Sequence, residues 1–320
     1  MNKQYIFAID LGGTSTKMAI LKEDGTFVHK WQIPTDKLEN GKNIIKNIQE
    51  SFAKTLAELS LDKQAFHGVG MGAPGPTSNG FILNAVNLGW GTFPLQEELE
   101  KAFALPAFIG NDANCAALGE MWQGAGKGLR HLICITLGTG VGGGVIVDGD
   151  IVEGVKGGAG EIGHMPIVFQ DGYRCNCGKN GCLETVASAT GISRIALEKL
   201  NHQHNETTLR KIYEEKGKIS AKDVFDHAET DLVAKEVVQE VCSYLGISIA
   251  MLAATLNPEA VILGGGVSKA GQTLLEPVKH YYKQYAFPTT KDDTEILLAT
   301  LGNDAGLYGA GWLVKKGLNI

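Results

Sequence analysis

Residues 6–20, IFAIDLGGTSTKMAI, align without a gap to residues 132–146, LICITLGTGVGGGVI, at an offset of 126. Apolar positions fall on apolar positions and the glycine turns coincide. Each copy then runs into an acidic-Gly turn, Asp24-Gly25 in one and Asp148-Gly149 in the other. Apolar runs on either side of a glycine turn read as a β-hairpin. Two matching hairpins in one chain predict a duplicated α/β unit whose turns face each other across a cleft. At roughly 100–200 residues per domain, 320 residues hold two such units. No low-complexity linker separates the halves, so the boundary near residues 112–120 is expected to be a hinge rather than a tether. Residues 1–115, with a C-terminal helix at about 304–320, then form a small N-terminal α/β domain, and 116–303 a larger one.

Periodicity fills in the elements. Residues 5–9, 18–21, 26–33 and 67–71 read as strands, as do 132–150 around their turn and the buried run 260–263. Helical spacing predicts helices over 43–59, 187–200, 222–228, 231–256 and 306–316. The polar stretch 202–218 reads as a loop or a frayed surface helix.

Composition excludes several classes. The chain carries 42 glycines, well above the average of about 7%, but only 9 prolines, so the excess serves turns and close backbone approaches rather than a collagen-like or Pro-rich segment. A net charge of -6 argues against a general nucleic-acid binder. The run 247–256 falls short of the ~20 apolar residues of a membrane span, and the first apolar run stops at Asp10, too soon for an export signal. Six cysteines, three of them within eight residues, point to metal chemistry in a cytoplasmic protein rather than to disulfides.

Five motifs carry chemistry. In DLGGTSTK, Asp10 to Lys17, two glycines expose backbone amides beside hydroxyls and a lysine. Such a turn cradles phosphate oxygens while a carboxylate holds a hydrated Mg²⁺ near them. The second turn, LGTGVGGG (137–144), offers further amides and the Thr139 hydroxyl. Its GxGxxG at Gly138, Gly140 and Gly143 is not a dinucleotide fingerprint, because the following VIVDGD reads as a strand and not as a helix. LGGGVS (263–268) ends a buried strand and suits close packing of a flat adenine or ribose. In GNDAN, Asp112 is the candidate base that takes a hydroxyl proton as that oxygen attacks phosphorus, and Asn111 is placed to hold a neighbouring hydroxyl. An Asn-Asp pair before a helix also reads as an N-cap. Finally, His164, Cys175, Cys177 and Cys182 lie in EIGH and CNCGKNGCLE. One imidazole and three thiols suit tetrahedral Zn²⁺ with every position filled, hence structural. Glu161 and Glu184 flank this knot, where their carboxylates can accept hydrogen bonds from sugar hydroxyls.

DLGGT, GAPGP, GNDAN, LGTGVGGG, the ExGH…CxCGxxGCxE knot and LGGGVS occur in that order. Together they resemble the ROK family of repressors, uncharacterised reading frames and sugar kinases, over residues 5 to about 315. The resemblance implies the actin-like, hexokinase-like ATPase fold, two ribonuclease-H-like domains around a cleft. It implies ATP-dependent phosphorylation of glucose at the 6-hydroxyl, with an N-acetylmannosamine, N-acetylglucosamine or fructose kinase and a non-catalytic sugar-binding regulator as alternatives. Asp10, Gly12, Gly13, Thr14 and Lys17 match its first phosphate motif, Gly138, Thr139 and Gly140 its second, and Gly264, Gly265, Gly266 and Val267 its adenosine segment. Asp112 matches its catalytic base, and Gly72, Asn87, Asn111, Glu161, His164 and Glu184 match its sugar contacts. A homodimer is implied by the same resemblance. The family's DNA-binding members carry a helix-turn-helix ahead of DxGGT, and with nine residues before Asp10 this chain is expected not to be one of them.

Overall fold

The computed structural model describes residues 3–203 and 206–320. Its frame is one topology used twice. Strands β1 (Tyr5–Leu11), β2 (Ser15–Lys22), β3 (Phe27–Pro34), β4 (Phe66–Ala73) and β5 (Ala107–Asn111) form a sheet in the order β3-β2-β1-β4-β5. Strands β6 (Leu132–Leu137), β7 (Val141–Val147), β8 (Asp150–Ile151), β9 (Ala260–Gly264) and β10 (Glu295–Leu298) repeat it as β8-β7-β6-β9-β10. In each sheet three strands run antiparallel, and two more pair parallel beyond the first. Register makes the repeat concrete: Asp10 sits beside Gly72, and its counterpart Thr136 sits beside Gly264.

The two-residue period of β1 sorts its side chains onto two faces. Phe7, Ile9 and Leu11 join Ile48 and Phe52 of α1 (Ile44–Leu59) and Leu99 and Phe103 of α2 (Leu95–Phe103). Ile6 and Ala8 face the other way and are covered by Leu307, Ala310 and Val314. The second sheet buries Ile133, Ile135 and Leu137 against a larger helical layer. At its centre, after α3 (Asp112–Gln123), α4 (Ala189–His202), α5 (Thr208–Lys216) and α6 (Ala221–Asp226), lies α7 (Leu232–Leu256). By length and composition α7 could cross a membrane; here its Val237, Val241, Leu245 and Ile249 are core residues, packed with Leu274 and Val278 of α8 (Gln272–Tyr285).

Two helices lie between the sheets and exchange sides. α3 leaves β5 but packs on β6 and β7, whereas α9 (Ala305–Leu318) leaves β10 but covers β1, β4 and β5. The two helices touch backbone to backbone. A methyl group on Gly119 would overlap the Ala305 carbonyl oxygen, and one on Gly309 the Cys115 carbonyl oxygen. Only glycine permits so close a crossing.

The structure departs from the sequence reading in three places. Residues 112–120, expected as a hinge, are the first turns of the continuous helix α3. Residues 208–216, expected as a loop or a frayed surface helix, are a surface helix but a capped one: the Thr207 hydroxyl accepts from Arg210 N, Gly217 ends it in a left-handed conformation, and only Leu209 is buried. His204 and Asn205 of that stretch lie outside the described residues. Helices α2 and α8 and strand β10 had no counterpart in the reading.

Candidate active site

The C-terminal edge of the first sheet brings Lys17, Asp10, Gly72 and Gly110 into one row. Lys17 Nζ donates to Asp10 Oδ2 at 2.9 Å and to the Asn303 carbonyl at 3.1 Å. The turn Gly12-Gly13-Thr14 is braced from outside: the Thr35 hydroxyl donates to Gly12 O at 2.7 Å, and Thr35 N to Thr14 O at 3.0 Å. Asn87 is exposed beside it, its Cβ 3.8 Å from where a methyl on Gly13 would lie.

One strand over, β5 ends and α3 begins. Asn111 is the N-cap: its Oδ1 accepts from Ala113 N at 2.9 Å and from Asn114 N at 3.2 Å, and its Nδ2 donates to Gly75 O at 3.1 Å. The cap leaves Asn111 one N–H for a ligand. Asp112 is the first residue of α3, and its side chain is open to solvent, although much protein lies close round it. That crowding pushes its carboxyl above the usual aspartate range; the Ala113 N–H pulls it down, and the charge of Asp10 pushes it up again.

The second turn is tied to the residues after the cysteine knot. Val141 N donates to Glu184 Oε2 at 3.1 Å, Ala189 N to Gly138 O at 2.8 Å, and the Thr190 hydroxyl to Thr139 O at 3.1 Å. Gly140 leaves room for this link, since a methyl there would overlap Glu184 Oε2. A strand, β7, follows the turn, as its rejection as a dinucleotide fingerprint requires.

In the knot, the ligand atoms of His164, Cys175, Cys177 and Cys182 all lie within 4.8 Å of one another. Cys177 Sγ and Cys182 Sγ are 3.6 Å apart, and His164 Nδ1 is 3.5 Å from Cys175 Sγ. Tetrahedral Zn²⁺ with bonds of ~2.3 Å to sulfur and ~2.0–2.1 Å to nitrogen needs about 3.8 and 3.6 Å for these separations. The donor set fits that ion. Burial pushes the Cys182 thiol up to about 12, with hydrogen bonds to Cys177 and Cys175 adding to it, so binding of a cation there would release its proton. With Nδ1 toward the sulfurs, His164 turns Nε2 toward Glu161, whose Oε2 is 3.8 Å away. Cys175 Sγ lies 3.8 Å from Glu184 Oε1, so the knot touches both flanking carboxylates.

Two cavities meet at Gly266 and Lys269. One, of about 510 Å³, is walled by Thr136, Gly264, Gly265, Thr300 and Asn303. The other, of about 320 Å³, is walled by Val267, Ala221 and Phe225. The first lies at the carboxyl ends of β6 and β9, where open α/β sheets place their ligands, and the second beside the turn that follows β9.

A family model described as the ROK family matches residues 6–317. The chain belongs to the ROK family. A glucokinase of Halalkalibacterium halodurans is 50% identical over 319 residues, 99% of this chain and 96% of the relative. A crystal structure of a ROK family glucokinase from Streptomyces griseus with glucose and AMPPNP superposes with a TM-score of 0.77 at 31% identity, covering 98% of this chain and 100% of that one. A ROK family transcriptional regulator, a homologue of the E. coli MLC protein, superposes with a TM-score of 0.86 at 26% identity, covering 98% of this chain and 78% of the regulator. The fold is the actin-like ATPase fold of ROK kinases.

Within this ROK chain the predicted site residues fall into three groups. Asp10, Gly12, Gly13, Thr14, Lys17, Gly72, Asn87, Asn111 and Asp112 gather at the edge of the first sheet. Gly138 to Gly140 and Glu184 are joined by hydrogen bonds, and Glu161 and His164 sit on the knot beside them. Gly264 to Val267 wall the two cavities. Sequence reasoning missed Glu120. It is 2% exposed, lines the larger cavity and accepts hydrogen bonds from residues 300 and 301. Nothing in its spacing separates it from a solvated helix glutamate.

Proposed function

We propose that this protein transfers the γ-phosphoryl group of ATP to the 6-hydroxyl of glucose, with Asp112 as the base. The carrying observation is the position of Asp112 at the head of α3, open to solvent and near enough to Asp10 to feel its charge. The base thus stands beside the turn proposed to hold the phosphates.

Adenosine lies against Gly264–Val267, and the phosphates lie between the amides of Gly12, Gly13 and Thr14 and those of Gly138 to Gly140. Lys17 adds a positive charge, and Asp10, with Oδ2 on Lys17, keeps Oδ1 for a water ligand of Mg²⁺. When bound, that ion neutralises phosphate charge as the loose transition state forms. Asn87, Asn111, Glu161, His164, Glu184 and the backbone at Gly72 hold the sugar hydroxyls. His164, Cys175, Cys177 and Cys182 would hold Zn²⁺, which fixes the loop carrying Glu161 and Glu184 and takes no part in the chemistry. Asp112 accepts the 6-hydroxyl proton as that oxygen attacks phosphorus, and backbone amides of the turns hold the developing charge.

The first sheet with α1, α2 and α9, and the second sheet with the whole of α3 to α8, are proposed as the two bodies that close on the substrates and exclude water. This moves the boundary expected between residues 115 and 116 to the start of α3. A cytoplasmic homodimer that does not bind nucleic acid is the accompanying reading, supported by ROK membership and the net charge of -6. The test is ADP release from ATP·Mg²⁺ over a panel of hexoses. The highest kcat/KM with glucose is expected. An N-acetylhexosamine ahead of glucose would rename the substrate but keep the sites. Sugar binding without turnover would place the chain with the regulators.

A further inference from the structure

α3 carries a second carboxylate with a task of its own. Glu120 is buried at 2% exposure, and donors from two segments converge on it. Oε2 accepts from Ala125 N at 2.8 Å, Thr300 N at 3.2 Å and the Thr300 hydroxyl at 3.4 Å, while Oε1 accepts from Leu301 N at 2.9 Å. A buried carboxylate is held in place by such convergence, and a lost partner leaves a buried group unpaired. Thr300, Gly302 and Asn303 wall the 510 Å³ cavity, as does Glu120 itself. Lys17 grips the far end of the same loop through the Asn303 carbonyl at 3.1 Å, and Lys30 Nζ bonds Asp304 at 2.6 Å.

We propose that Glu120 is a positioning residue for the nucleotide, its carboxylate fastening the loop 299–304 to the helix whose first residue is the base Asp112. Glu120 is the ninth residue of α3, so at 1.5 Å rise per residue the two carboxylate-bearing positions are about 12 Å apart along a rigid axis. α3 thereby acts as a spacer between the point of proton removal and the wall of the nucleotide cavity. The crossing of Gly119 with Ala305 anchors the same loop at the start of α9. This inference rests on the reading that ATP occupies that cavity.

The test compares Glu120→Gln and Thr300→Val with the unmodified protein, reading KM for ATP, KM for glucose and deuterium exchange of the amides of Thr300 and Leu301. Glu120→Gln keeps the shape but turns one acceptor into a donor. KM for ATP should rise on the order of tenfold, the equivalent of about 1.4 kcal/mol, with KM for glucose within about twofold and faster exchange at both amides. Thr300→Val removes only the hydroxyl donor, so it should move KM for ATP the same way by about two- to threefold, which keeps the test alive if Glu120→Gln does not fold. Equal rises in both KM values would reveal general loosening and overturn the proposal, as would unchanged KM for ATP with unchanged exchange. Should the unmodified protein turn over no sugar, the kinase reading fails separately. ADP affinity and amide exchange then decide the role of Glu120: tenfold weaker ADP binding and faster exchange in Glu120→Gln support it, and unchanged values overturn it.

Discussion

Gly140→Ala would test how finely Glu184 is placed. Gly140 does not use left-handed backbone, so alanine is conformationally allowed there. The added methyl would overlap Glu184 Oε2 and lie 3.2 Å from its Cδ. Restoring ordinary van der Waals separation requires the carboxylate oxygen to retreat by about 1 Å. The Val141 N–H bond of 3.1 Å then breaks, a loss worth about 1.5–3 kcal/mol for a bond to a charged acceptor. That corresponds to roughly 10–150-fold, in line with the ~10²-fold cost of a 1 Å misplacement. Because that bond is made within the folded protein, the thermal midpoint should also fall, by a few degrees, far too little to unfold the enzyme under assay. The assay is coupled ADP release with glucose varied at saturating ATP, then the reverse. The expected result is a 10–100-fold fall in kcat/KM for glucose, set by the estimates above. Adding Glu184→Asp, whose shorter side chain withdraws from the methyl, should give a loss smaller than the sum of the two. Unchanged kcat/KM for glucose in Gly140→Ala would refute the reasoning. A rise confined to KM for ATP would show that the glycine serves only the phosphates.

Asp112→Asn should lower kcat by roughly 10²–10⁴ with sugar affinity changed much less; near-normal turnover would remove Asp112 as base. Because burial raises the Asp112 pKa in the folded state, its charge opposes folding at neutral pH, and the penalty fades as pH falls through that raised value. Asp112→Asn should therefore match or exceed the unmodified thermal midpoint at pH 7 and lose the advantage near pH 4, and a lower midpoint at pH 7 would contradict this. Cys177→Ser should reduce bound zinc from one ion per chain and weaken sugar binding together, so an active, metal-free variant would refute a structural ion.

What the sequence displays depends on whether a feature is local. The hairpins of β1–β2 and β6–β7 were legible because glycine turns between apolar runs repeat at a fixed offset, and the knot because its ligands cluster within 19 residues, His164 to Cys182. α2 was not, because Leu95, Leu99 and Phe103 are its only core anchors among charged neighbours. α8 carries Pro277 inside, which ordinarily argues against a helix. α5 did announce itself through Thr207 and Gly217, capping signals outweighed by the polarity between them. Asn111 joined two readings that the sequence left separate: its oxygen caps α3 while one N–H remains for a ligand. The burial of Glu120 arises from a loop 180 residues away, which no window along the chain contains.

The exchange of α3 and α9 between the sheets also orders events in time. Ile6, Ala8, Ala19 and Leu21 find their buried cover in Leu307, Ala310 and Val314, with the earlier Phe27, Phe108 and Trp122 packing only in part against them. At about 5–20 residues per second, the ribosome delivers Ala305–Leu318 about 10–40 s after β5. The half synthesised first is thus the half completed last. Through that interval the apolar face of the first sheet lacks its main cover, and the second sheet is itself completed by β10 only shortly before α9 arrives. Translation speed between β5 and α9 sets how long the exposed face must avoid other partners.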